Sequence, residues 1–268
     1  MLPTLPILSG REHIMANIIA CNVGSYGRYR DRAYDHLRSI GLTNVEVGVP
    51  PADAVPSLLE ELGRCGLKVT TVMGSCDLAD PECAAKLAPQ ASAARALGAR
   101  VLFLSVKAGD LPKETAYARL RAAGDVVAPE DVTIACETHP DLIHNGDVAL
   151  ETMRGVDHPN VRVNFDTGNV YYYNQGTTSV AELRKIAPYV ASVHLKDTGG
   201  GFHAHDFPTL GQGVVDYPEV FRILNGVGMF GPFTMELEGI AGEDLTEQQQ
   251  LDRVAQSLDY LKSIGAGG

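Results

Sequence analysis

The chain has 268 residues, 45% of them hydrophobic and 21% charged, a balance that supports a buried core and argues against disorder. Its 22 Lys and Arg face 33 Asp and Glu for a formal net charge of −11, and no basic cluster is present to neutralise phosphates, which argues against a nucleic-acid partner. No apolar run approaches the roughly 20 residues of a membrane helix, and the five cysteines form no C-x-x-C pair, as expected of reduced thiols in a cytoplasmic protein rather than a disulfide framework.

Residues 1–15 lack the basic-then-apolar layout of a secretory signal and are expected to form a short surface tail. Apolar, β-branched runs then follow at Ala16–Cys21, Val45–Val49, Leu67–Met73, Arg100–Val106, Val132–Cys136, Val161–Phe165, Val190–Leu195 and Phe233–Leu237. Between them lie stripes with helical periodicity: Ala33, Leu37 and Ile40; Leu58, Leu59 and Leu62; Leu87 through Leu97; Leu111 through Val127; and finally Leu251, Val254, Leu258 and Leu261. Gly41, Gly66, Gly98 and Gly228 follow apolar stripes, where a left-handed C-terminal cap is needed.

The strand-to-strand interval of about 25–40 residues is that of a βα unit, since parallel strands need a crossover while hairpins need only a few residues. Eight such units predict an α/β protein with one domain, a (β/α)8 TIM barrel over residues 16–264. An open doubly wound sheet shares the alternation. The first βα turn, CNVGSYG, lacks the G-x-G-x-x-G of a dinucleotide fold.

In a barrel of this type, functional side chains sit at the C-terminal ends of strands. The fifth strand, VTIACETHP, ends in Glu137; the sixth, VRVNFDTGN, in Asp166; the seventh, VASVHLKD, carries His194; the eighth, PFTMELEG, carries Glu236. Three carboxylates converging in a partly dry pocket repel one another and raise their own pKa values. A divalent cation removes the problem, and three oxygens with one imidazole nitrogen suit Mn²⁺ first, with Mg²⁺ or Co²⁺ as alternatives, better than a structural zinc. The plainer alternative pairs Glu137 and Glu236 with Arg or Lys at the rim. His139, two residues beyond Glu137, is aimed the same way by strand alternation and is a candidate substrate contact. His203, His205 and Asp206 lie on the long loop after the seventh strand, and Tyr171–Tyr173 follow the sixth. Glu46, in the middle of the second run, is expected at the pocket floor. No phosphate cradle is evident, which favours an unphosphorylated keto sugar or polyol.

The set ACETHP, NFDTGN, HLKD and MELEG, with GLTNVEVGVP at the second strand and LGQGVVDYPEVFRIL before the last, resembles the xylose-isomerase-like sugar isomerase/epimerase superfamily over roughly residues 16–262. That group includes ketose 3-epimerases, hydroxypyruvate isomerases and inosose dehydratases. The resemblance implies one metal held by Glu137, Asp166, His194 and Glu236, with the two glutamates as acid and base on opposite faces of the substrate. It implies a metal-dependent isomerase or epimerase of a ketose or related α-hydroxy ketone, working through an enediolate. Its partners would be a small sugar or polyol and, in a homo-oligomer, its own copies. Two departures move the chain away from a plain ketose 3-epimerase. Asn169 stands where the epimerases commonly have His, and Gly200 where they tend to have Arg. Lys196, two residues past His194, is instead similar to the inosose-dehydratase branch, so a lyase acting on an inosose, a 3-keto sugar or a glycoside is the competing expectation. Asn169, Lys196, His139, His205 and Glu46 complete the expected set around the substrate.

Overall fold

The computed structural model describes residues 16–266; the expected tail over 1–15 lies outside the described residues. In chain order the strands are β1 Ile19–Asn22, β2 Asn44–Gly48, β3 Lys68–Met73, β4 Val101–Leu104, β5 Thr133–Glu137, β6 Val161–Asp166, β7 Val190–Leu195, β8 Asp206–Phe207, β9 Phe233–Met235 and β10 Gly239–Ile240. The helices are α1 Ala33–Ser39, α2 Val55–Cys65, α3 Ala88–Ala96, α4 Lys113–Val127, α5 Gly146–Val156, α6 Asn169–Tyr173, α7 Ser179–Ile186, α8 Tyr217–Gly226 and α9 Glu247–Ser263. β1 to β7 and β9 form one closed barrel, sealed by parallel pairing of Ile19 with Phe233. Closure decides against the open sheet. It also explains the unbroken apolar runs, because each stave is covered by side chains inside and by helices outside.

Four of the expected caps are in place: Gly41, Gly66, Gly98 and Gly228 have φ of +78°, +67°, +85° and +83°, a region L-residues with a Cβ enter only at a cost. Three staves differ from expectation by more than one residue: β1 begins at Ile19 rather than Ala16, β4 stops at Leu104 rather than Val106, and the last stave, β9, stops at Met235 rather than Leu237. The α2 stripe is narrower than read, since Leu62 is buried while Leu59 is 41% exposed. Among the described residues no helix is long and apolar enough to cross a membrane.

Two devices fix the loops over the barrel mouth. β8 and β10 pair antiparallel, Phe207 opposite Gly239 and Asp206 opposite Ile240, which joins the loop after β7 to the loop after β9. The buried Asp197 carboxylate accepts backbone N–H bonds from Gly211, Gly213 and Val215 at 2.8, 3.0 and 3.2 Å, holding the far arm of the first of these loops.

Candidate metal centre and substrate cavity

The parallel register sets neighbouring strand ends side by side: Asp166 on β6 is opposite His194 on β7, and β9 follows with Glu236 just past its last residue. Glu137 closes β5 on the other flank. One ligand atom from each of Glu137, Asp166, His194 and Glu236 lies within 4.8 Å of those from the other three. Sequence reading had placed these four side chains together, and the fold brings them together.

Each ligand is oriented by its surroundings. Asp166 Oδ1 accepts from the backbone N–H groups of Gly168 and Asn169 at 2.8 and 2.9 Å, which turns Oδ2 toward the cluster. There Oδ2 is buried without a directed hydrogen bond, although the Lys196 ammonium is 2.9 Å away. The His194 ring lies tilted against Phe103 at 4.6 Å. Its Nε2 is 3.2 and 3.3 Å from the two oxygens of Glu46, and Glu46 in turn accepts from Asn22 Nδ2 at 2.6 Å. A carboxylate behind an imidazole favours a proton on Nε2, and Nδ1 is the ring nitrogen turned toward the cluster. Nδ1 is 3.1 Å from Glu236 Oε2 and 4.0 Å from Glu137 Oε1.

The electrostatics show a surplus of negative charge. Burial, reinforced by Glu236, pushes the Glu137 carboxyl up to about 8. Burial raises Asp166 to about 6 against the opposing pull of Lys196. Burial disfavours charge on His194, but Glu236 and Glu46 outweigh it and hold the imidazole well above its ordinary value. Burial alone would raise Glu236, yet His194 and Lys196 hold it well below the usual carboxylate range. Lys196 is 1% exposed, with Nζ 2.9 Å from Asp166, 2.7 Å from Glu236 and 3.2 Å from Glu238. The ion pair anticipated for Glu236 by the plainer alternative therefore exists, but among the described residues no Lys or Arg pairs with Glu137. An undirected buried oxygen, a carboxyl raised by burial and then by Glu236, and an imidazole nitrogen aimed inward together fit a divalent ion bound to three oxygens and one nitrogen.

Above the cluster opens a cavity of about 370 Å³, walled in part by Glu137, Asn169, Lys196, His205, Glu236 and Glu238. Asn169 Nδ2 donates to the Thr138 carbonyl at 3.2 Å and reaches Glu137 Oε1 at 3.5 Å. His139 is also on the wall, its Nε2 2.7 Å from the Tyr173 hydroxyl. His205 packs edge-on against Phe207 at 5.0 Å. Glu46 alone of the expected set stands away from this cavity. At 1% exposure its carboxylate meets the His194 ring rather than the cavity. Sequence reading passed over Glu238, although it lies two residues from Glu236 and alternation would put it on the same side. It also missed Asn22, for which a β1-to-β2 contact gives no local signal.

Comparison with known proteins agrees with this geometry. The profile of the xylose isomerase-like TIM barrel family matches residues 34–264. The chain belongs to this family. Among xylose isomerase-like proteins it resembles 3-dehydroshikimate dehydratase of Bacillus anthracis, with 21% identity over 161 residues, 54% of this chain and 56% of that protein. It is also similar to L-ribulose-5-phosphate 3-epimerase of Escherichia coli, with 26% identity over 146 residues, 54% of this chain and 48% of the relative. The chain thus spans about half the length of the curated relatives it matches. A xylose isomerase-like TIM barrel protein from Mycobacterium smegmatis, solved in complex with magnesium, superposes with a TM-score of 0.73 at 18% identity, covering 93% of this chain and 97% of that one. That likeness is one of fold.

Proposed function

We propose that this chain is a divalent-metal-dependent isomerase or epimerase of a ketose or related α-hydroxy ketone. Glu137, Asp166, His194 and Glu236 hold the ion, Mn²⁺ by preference, and the two glutamates serve as acid and base. The observation that carries the reading is the gathering of four ligand atoms within 4.8 Å at the floor of a cavity whose wall includes both glutamates. Bound there, a divalent ion supplies Lewis-acid polarisation of a substrate carbonyl. One glutamate takes the proton from the carbon between carbonyl and hydroxyl; the other returns a proton to the opposite face or to the neighbouring carbon. Glu137 and Glu236 come from strands separated by two staves, so they approach a small ligand from different sides. Asn169, His139 and His205 offer hydroxyl partners, and the five free cysteines accord with action in the cytoplasm.

Lys196 supports a second reading. A buried ammonium on the cavity wall can protonate a departing oxygen, which turns the same first step into an elimination. The relatives named an epimerase and a dehydratase are compatible with one shared proton abstraction that ends in two ways.

The test is to incubate Mn²⁺-loaded protein with a panel of ketoses and inososes in D2O. Proton NMR should show deuterium entering beside the carbonyl, and Glu137→Gln and Glu236→Gln should each slow it by about 10²- to 10⁴-fold. Unchanged rates in both variants would refute the two-glutamate mechanism, while a product lighter by one water in the mass spectrum selects the lyase.

A further inference from the structure

The cavity over the metal centre shares His139, Tyr172 and Tyr173 with an adjoining outer chamber of about 490 Å³ that also meets His203 and Lys107. The inner cavity alone is of the size a small ligand fills, so the outer chamber has room for a second group attached to it. Its wall is built from rings. The chain has no Trp, 7 Phe and 10 Tyr, yet Tyr172, Tyr173, His139 and His203 all line it, and Phe202 backs His203 from outside the wall.

These rings lock one another. Tyr173 meets His139 at 4.8 Å and Tyr172 edge-on at 4.9 Å; Tyr172 meets His203 at 5.4 Å; Phe202 stacks on His203 at 3.9 Å and 20°. The His203 N–H donates to the Tyr172 carbonyl at 3.0 Å, and the residue sits at φ +52°. Such a backbone is uncommon outside Gly and Asn, and here it lays the imidazole beside Tyr172. Phe202 remains 44% exposed at the rim. The chamber is poorly equipped for an anion. Among the described residues Lys107 is its one Lys or Arg, and the nearby N–H groups of Ala108 and Gly109 are already given to Asp141 at 2.7 and 2.9 Å.

We infer that this chamber is a stacking subsite for a flat ring carried by the sugar, so that the substrate is a glycoside-type molecule rather than a bare monosaccharide. The inference rests on the proposed function only in taking the inner cavity as the sugar site. Ring stacking serves an aryl group and the face of a second pyranose alike.

Binding, without turnover, tests it. Mn²⁺-loaded protein is titrated with methyl β-D-glucopyranoside, phenyl β-D-glucopyranoside and cellobiose by saturation-transfer NMR. The phenyl glucoside, the cellobiose or both should bind about tenfold more tightly than the methyl glucoside, the gain expected of one well-placed ring contact, and which of them does so identifies the ring. Phe202→Ala and His203→Asn, the latter keeping a residue that tolerates this backbone, should abolish the gain and leave methyl glucoside affinity unchanged. Equal affinities for the three probes, no binding by any of them, or a gain that survives both substitutions would overturn the subsite. A failure of deuterium exchange with every ketose, alongside a stacking gain, would instead refute the proposed chemistry and leave the subsite standing.

Discussion

His194 is gripped from behind by Glu46, and Glu46 by Asn22, so one ring nitrogen is committed before any ligand arrives. Outer partners of this kind set metal affinity as well as ring orientation. Glu46→Gln should therefore weaken Mn²⁺ binding by about 10- to 100-fold as read by calorimetric titration, with the fold retained by circular dichroism; unaltered affinity would show that Glu46 does not position the ligand. Cysteine chemistry gives a second residue-level expectation. Burial pushes the Cys21 and Cys136 thiols up to about 12, far from the thiolate that alkylates. Iodoacetamide at pH 8 should leave both unmodified in the folded protein, and peptide mass spectrometry should find them labelled only after denaturation. At this scale the ligands were readable because a strand end is a strong positional signal: Glu137, Asp166 and His194 each sit at or beside the last residue of a buried run. The function of Glu46 was not readable, because its partners come from β1 and β7 and no local pattern joins those strands.

Among the elements, the first turns of α9 anchor the loop after β1. Thr246 and Gln249 form a reciprocal capping box, Gln250 Nε2 donates to the Ser25 carbonyl at 2.5 Å, and Arg253 pairs with Glu243 at 2.7 Å. The start of the last helix is thereby bound to the loop after β1. Thr246→Ala removes the cap and should cost about 1 kcal/mol in urea denaturation, with no change in the denaturant slope. The eight staves and most helices could be read from periodicity because burial on one or both sides dictates it. β8 and β10 could not. Each has two residues, too few for alternation to register, and their pairing depends on where the barrel has already brought their loops. The ring wall escaped for a similar reason: Tyr172 and His203 are 31 positions apart in the numbering and meet only because the segments after β6 and β7 fold over the same mouth.

For the molecule as a whole, closure of the barrel collects acidic groups at one end of a chain with net charge −11. A bound divalent ion should stabilise the fold by mass action, about 2.7 kcal/mol at a hundredfold excess over Kd, so the thermal midpoint should rise on adding Mn²⁺ and fall back with EDTA. Calorimetry showing no shift would argue that the cluster does not hold the ion. Lys196 adds something further. Its ammonium already touches Asp166, Glu236 and Glu238, and deleting one partner of a buried ion pair typically costs about 3–5 kcal/mol. Lys196→Met should consequently refold poorly in EDTA and recover with Mn²⁺, whereas the parent chain should refold in either medium, as followed by circular dichroism. On that expectation the tethered ammonium is an inbuilt counterion, and if the cluster holds an ion as proposed, the barrel can form first and a scarce nutrient can be taken up by finished molecules instead of limiting how many are made.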